Sequence, residues 1–331
     1  MTDSRTSIRL IATLWLISAV MLAGGRLADI SELKSGGMVL SLGYILVLIW
    51  WVTREAGQTT RQLDVPPLLA RPQGFVPMLV GILALVFATL ALTAGYFRNG
   101  WYMVWISTLP ALAVAVRLRD RYRASTIALG IAVVVVLFSL GTVHRSPGWA
   151  LAAALAIGIH LVAGVALLRY TGCGTFQLVD GNYVTACRSL GLGAVLAVPP
   201  ALLNIALAEG AGVVPITDPA GDWWLPFLAV QPGLTEEIWA RLFLVTMFVA
   251  LLAPVSRDRP RRVVAVAGTL AVFVHVLAHV PQSITDVGSV IFVSLLYGIP
   301  LVVLFLARDL EHAIGYHVLI DLVRFVVFPP F

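Results

Sequence analysis

Residues 148–168 read GWALAAALAIGIHLVAGVALL, and His160 is the one ionisable group in the stretch. About 20 apolar residues is the length an α-helix needs to cross the hydrocarbon of a bilayer. Lipid offers neither donors nor acceptors, so the backbone there must bond within its own segment. A barrel strand would alternate apolar and polar positions, and this stretch does not alternate. It reads as a membrane helix.

Working outward, runs of the same character occupy 8–25, 36–53, 75–96, 101–116, 126–142, 189–208, 226–254, 263–281, 288–307 and 311–328. Together they predict an all-α, polytopic transmembrane helical bundle of about 11 spans. Composition agrees: of 331 residues 60% are hydrophobic and 12% charged, with a mean hydropathy of +0.95. Soluble chains run at roughly 45–50% apolar and about 25% charged. A soluble fold is therefore excluded, as is a single-pass anchor carrying a soluble domain.

The net charge of +5 might suggest nucleic acid, but every basic residue except Lys34 is Arg, and the arginines cluster between apolar runs. Connections 54–71, 117–123, 169–188 and 255–262 carry most of them and fall on one side of the membrane, with Arg5 and Arg308. The opposite loops hold only Arg26, Lys34, Arg98 and Arg145. The positive-inside rule then places the N-terminus in the cytosol and the C-terminus outside. Lipid, not nucleic acid, is the expected partner of these charges. The preference for Arg over Lys points to a bacterial chain in the plasma membrane. Cys173 and Cys187 fall in one cytosolic connection and read as free thiols. The run 8–25 follows Arg5 and Arg9 and ends in small residues, as a signal peptide does, but is expected to be retained as an anchor. Trp223 and Trp224 read as an interfacial belt, and Pro199 and Pro200 as a kink in the seventh run.

Charged side chains are costly in the bilayer, so those inside predicted spans are the informative ones. Three late runs hold them. The eighth carries Glu236, Glu237 and Arg241, the ninth His275 and His279, and the eleventh His317, Asp321 and Arg324. In an α-helix Glu237 and Arg241 share a face and can pair, leaving Glu236 on another face to act on water. His275 and His279 have the i,i+4 spacing that suits joint metal ligation, or one catalytic imidazole with a neighbour. His317 and Asp321 repeat that spacing, although Arg324 could instead neutralise Asp321. The lone His160 is expected to be a hydrogen-bonded packing residue, and His312 to be solvated at a helix mouth.

The segment Glu236-Glu237-Ile238-Trp239-Ala240-Arg241 resembles the EExxxR motif of the CPBP family, which includes CAAX-prenyl endopeptidases and bacteriocin-processing proteins. His279 is similar to the histidine of that family's FxxxH motif, and His317 with Asp321 to its HxxxN or HxxxD motif. The resemblance covers 188–331 as a protease core and leaves 1–187 as an N-terminal transmembrane extension of unknown role. It implies an intramembrane peptidase acting on a peptide or membrane-protein substrate. By that resemblance Glu236 is the general base for water, Glu237 and Arg241 orient it, and His279 helps hold the water or a metal. His317 and Asp321 then stabilise the oxyanion. A divalent metal such as zinc is the one cofactor the resemblance admits, held by Glu236, His279 and His317 with His275 as an auxiliary ligand. The aromatic position of the second motif is occupied by His275, a departure from the pattern. Two other classes compete: a proton- or ion-coupled transporter, which inverted repeats would favour, and a catalytically silent family member acting as scaffold or immunity protein. No repeat is found, and HExxH, GxSG and GxGD are absent from the sequence.

Overall fold

The computed structural model describes residues 4–59, 101–142, 145–210, 225–253, 260–279 and 287–327, and every regular element among them is helical. In chain order these are α1 (Ser4–Leu27), α2 (Ser31–Thr59), α3 (Trp101–Arg117), a 3-10 turn (Arg119–Arg121), α4 (Ala124–Gly141), α5 (Pro147–Thr171) and α6 (Tyr183–Gly210). There follow α7 (Leu225–Leu228), α8 (Val230–Glu236), the π-helix π1 (Glu237–Val245), α9 (Thr246–Leu252) and α10 (Pro260–His279). The chain ends with α11 (Val287–Val293), a second π-helix π2 (Ser294–Gly298), α12 (Ile299–Ala307) and α13 (Leu310–Val327). The run 75–96, the arginines of 60–71, Arg98, Arg257, Arg259, Trp223 and Trp224 lie outside the described residues.

The described residues of the other predicted runs are helical apart from turn positions at 142 and 229, as an all-helical membrane bundle requires. Among the described residues, seven stretches are long and apolar enough to cross a bilayer: Ile8–Leu27, Ser31–Trp51, Ala124–Gly141, Pro147–Thr171, Tyr183–Glu209, Pro260–His279 and Val290–Ala307. Large apolar side chains such as Leu16, Val20, Ile131 and Val135 point outward, an arrangement suited to lipid and costly in water. The runs 226–254 and 288–307 differ from expectation, because each is interrupted by a π-helical segment. Hydrophobic length fixes that a segment is helical but not whether its bonds close to i−4 or i−5.

Packing divides the chain into two units interleaved along the sequence. One comprises Met1–Gln58, Gly174–Glu237 and Ile299–Phe331; the other comprises Thr59–Cys173 and Ile238–Gly298. Each draws on both sides of residue 187.

In the first unit α13 packs along α6, with α7, α8 and α12 also against it, and α1 packs on α6. A Cβ on Gly193 would strike the His312 carbonyl, and one on Gly315 the Leu190 carbonyl. Gly233 in α8 likewise lies against Val318. Small residues let helices approach closely where lipid supplies no hydrophobic drive.

Pro199 and Pro200 remove two backbone donors from α6, the ones that would serve the carbonyls of Val195 and Leu196 four residues earlier. Those carbonyls are met from elsewhere. Trp15 Nε1 of α1 donates to Val195 O at 2.7 Å, and the Tyr44 hydroxyl of α2 donates to Leu196 O at 2.8 Å. The first two helices thus restore the hydrogen bonds that the prolines delete.

At the start of α13, Asp309 caps the helix by accepting from the backbone N–H of His312 at 2.9 Å, and its other oxygen accepts from Ser189 Oγ at 2.8 Å. His312 Nδ1 lies 2.7 Å from Asp309, and the ring is largely covered, not solvated as the sequence suggested. The buried Glu311 carboxylate accepts the backbone N–H groups of Gln177 and Leu178, which fastens the connection before α6 to α13. Both cysteines are free thiols, and burial pushes the Cys173 thiol up to about 12.

Burial pushes the Asp309 carboxyl up, but the side chain, backbone N–H and charge of His312, with the Ser189 hydroxyl, more than offset it and leave it below the usual carboxylate range. A depressed carboxyl contributes stability above its unfolded value of about 3.9, and that stability is lost as pH falls through the folded value. Replacing Asp309 by Asn is therefore expected to flatten the acid limb of thermal stability in detergent below about pH 4. A second expectation concerns α6. Tyr44→Phe should lower unfolding stability by about 1–3 kcal/mol by leaving the Leu196 carbonyl unmet. In a Pro200→Ala background, where the backbone donor returns, the same substitution should cost much less. Equal losses in both backgrounds would refute this account.

Candidate active site

The two units each gather part of the predicted site. In the first unit His317 of α13 is buried among carboxylates. Its Nδ1 lies 2.8 Å from Glu237 Oε1, and its Nε2 lies 3.3 Å from Asp321 Oδ2 and 3.7 Å from Glu236 Oε2. The i,i+4 spacing of His317 and Asp321 gives the pairing expected of it. Arg324, the alternative partner of Asp321, is exposed. Glu237 is completely buried, whereas the Glu236 side chain retains 21% exposure. Of the two adjacent carboxylates, one is fixed on the imidazole and the other is partly exposed. Gly233 makes this local geometry accessible, because it lets α8 lie directly on α13 one turn before Glu236.

In the second unit Arg241 is completely buried. Its Nη2 donates to His275 Nδ1 at 3.1 Å and to the Tyr297 carbonyl of π2 at 3.3 Å. Arg241 lies in π1, where the chain closes its bonds to i−5, so the angular arithmetic of an α-helix does not describe this part of EExxxR. His275 and His279 stack edge to face with ring centroids 4.4 Å apart.

Partners that can only donate or only accept fix the protons on these rings. A guanidinium only donates, so His275 Nδ1 must accept and its Nε2 carries the proton in the neutral ring. A carbonyl only accepts, so His279 Nδ1, 2.8 Å from the His275 carbonyl, must donate, and its Nε2 bears the lone pair. His279 is exposed at the end of α10. His275 and His279 supply two imidazole donors of the type a divalent metal takes. The hydrogen bond from Arg241, however, takes the lone pair His275 would need.

His160 is a hydrogen-bonded packing residue, as expected. Its Nδ1 donates to Ala156 O at 2.7 Å, its Nε2 lies 2.9 Å from Ser107 Oγ, and its ring meets Phe243 edge-on. Two features escaped the sequence. The Tyr297 carbonyl has no side-chain signature, and the hydrogen bond from Trp239 Nε1 to Ser107 Oγ, 2.9 Å long, joins residues 132 apart.

Residues 220–323 match the family model of type II CAAX prenyl endopeptidase Rce1-like proteins. That span contains Glu236, Glu237, Arg241, His275, His279, His317 and Asp321, so the family likeness drawn from the three motifs holds over it. The Rce1-like family is a protease family, and its match falls on the helices that carry the intramembrane charges. No curated protein and no solved structure matches the chain.

His275→Phe restores the aromatic residue of the FxxxH pattern but removes an acceptor from a buried cation. It is expected to lower unfolding stability by about 1.5–3 kcal/mol, read by denaturant titration in micelles. A variant as stable as the parent would show that His275 does not hold Arg241.

Proposed function

We propose that the chain is an intramembrane endopeptidase in which Glu236 activates water against a peptide carbonyl. The observation that carries this reading is the His317 cluster. Glu237 holds the imidazole, Asp321 sits at its other nitrogen, and the more exposed Glu236 faces the same ring, all within the matched span. Glu236 takes a proton from water as the oxygen attacks the carbonyl carbon. The resulting tetrahedral oxyanion receives a hydrogen bond from a protonated His317 Nε2, held in place by Glu237. The C–N bond then breaks, and Glu236 returns its proton to the departing amine. Asp321 orients the imidazole, since an ionised carboxylate cannot donate to an oxyanion. Arg241 holds the local backbone of its own unit through His275 and Tyr297.

The donor set is a poor fit to a metal. Catalytic zinc takes three protein ligands, and the Arg241 bond leaves His275 with a proton on the nitrogen that would ligate. Each step above is therefore assigned to side chains and water. The substrate class is a peptide or membrane protein cut in or near the bilayer. Residues 188–331 form the catalytic core and 1–187 support it. The arginine-rich composition favours a bacterial plasma membrane.

In proteoliposomes, Glu236→Gln should abolish cleavage of a membrane-tethered peptide library, a loss of roughly 10²–10⁴-fold, with unfolding stability unchanged. Full activity in that variant would sink the assignment. Incubation with a strong zinc chelator followed by its removal should leave the rate intact. Loss of activity that added zinc restores would instead establish a metal reaction.

A further inference from the structure

The indole and imidazole protons in the group around His160 can be assigned. Trp239 Nε1, which only donates, gives its hydrogen to Ser107 Oγ. His160 Nδ1 donates to the Ala156 carbonyl, so the neutral ring presents a lone pair at Nε2, 2.9 Å from the serine oxygen. The serine hydrogen satisfies that lone pair or the Val104 carbonyl, also 2.9 Å away. The chain of bonds runs from Trp239 in π1 through Ser107 in α3 to His160 in α5. His160 and Trp239 are buried.

A serine and a histidine at this distance have the spacing of a nucleophile and its base. Here the serine oxygen already accepts the indole N–H, which draws electron density away from it and fixes it as a structural acceptor. The tryptophan is the informative member, because it lies two residues after Glu237 within EExxxR. A π-helix is rare, and its hydrogen bonds alone seldom hold it, so its rotation depends on outside contacts. In π1 the described polar contacts made by side chains to other helices are those of Glu237 with His317, of Trp239 and of Arg241. Arg241 is held by α10 and π2; Trp239 is held by Ser107 of α3, which in turn lies against His160 of α5.

We propose that Ser107 and His160 are positioning residues of the hydrolytic site, setting the rotation of π1 through the indole of Trp239. The proposal rests on the endopeptidase reading. It gives the first half of the chain a part in the reaction without placing any of its residues against substrate.

The test uses the full-length protein in nanodiscs with ¹⁵N-labelled tryptophan. Nine tryptophans give nine indole resonances, and loss of one in Trp239→Phe assigns it. Ser107→Ala should shift that resonance, and Ser107→Thr, which keeps the hydroxyl, should restore it. In turnover, Ser107→Ala and Trp239→Phe should each lower kcat by about three- to tenfold with KM unchanged, the size of one neutral hydrogen bond. Ser107→Thr should recover the rate, and the double variant should be no slower than the slower single one. An indole resonance unmoved by Ser107→Ala would overturn the proposal. Losses that multiply in the double variant, or a raised KM with kcat intact, would overturn it equally. If no variant and no parent protein cleaves peptide, the endopeptidase reading falls, while the resonance still decides whether Ser107 holds Trp239.

Discussion

Lipid cannot solvate a hydrogen-bonding group, and this absence organises the whole chain. In water, the two carbonyls orphaned by Pro199 and Pro200 would bind solvent. Here they take the indole of Trp15 and the hydroxyl of Tyr44 from two other helices. The same constraint gives the buried Glu311 two backbone donors, and the buried Arg241 an imidazole and a carbonyl. Each of these bonds crosses between segments far apart in sequence. Satisfying polar groups in lipid is therefore what ties the helices together, since burial of apolar surface distinguishes poorly between a neighbouring helix and an acyl chain.

That constraint also sorts the histidines into different chemistries. Four rings lie within spans of similar hydrophobicity, yet each has a partner that settles its protons. His160 and His279 donate to backbone carbonyls and keep a lone pair at Nε2. His275 accepts from a guanidinium and cannot offer that lone pair. His317 faces carboxylates at both nitrogens and is suited to holding and passing protons. Residue type alone would have treated all four alike. The second motif's departure, a histidine at its aromatic position, becomes intelligible as an acceptor for Arg241.

The helices and the candidate residues were legible in the sequence because both signals are local. Apolar length marks a span, and charges inside it stand out against the background. The spacing of His317 and Asp321 gave their pairing directly, as an i,i+4 contact within one α-helix. The arrangement around EExxxR was not legible for the same reason in reverse. Whether Glu237–Val245 closes to i−4 or i−5 depends on contacts with distant helices, and no local pattern records it. The tasks of Trp15, Tyr44 and Ser107 were hidden likewise, because each serves a group more than 130 residues away. His312 was misjudged as solvated because proximity to charged residues in sequence did not reveal the cap that covers it.

The π-helix explains why a short motif match and a long chain belong together. Residues 220–323 hold all the acids, imidazoles and the guanidinium of the candidate site. They do not hold Ser107, which meets Trp239 inside the motif, or His160, which lies against that serine. An α-helix could present its side chains from local hydrogen bonding alone, and a catalytic core built from α-helices would need little else. A segment with five-residue closure is intrinsically weaker and takes its rotation from whatever grips it. Once the motif lies in such a segment, its side-chain directions are a property of the tertiary structure, and the bond from Trp239 to Ser107 of α3 is one of its outside contacts. The half of the chain whose apolar runs carry almost no ionisable groups is thereby tied to the EExxxR segment through a neutral hydrogen bond, the kind of contact that composition and motif searches do not register.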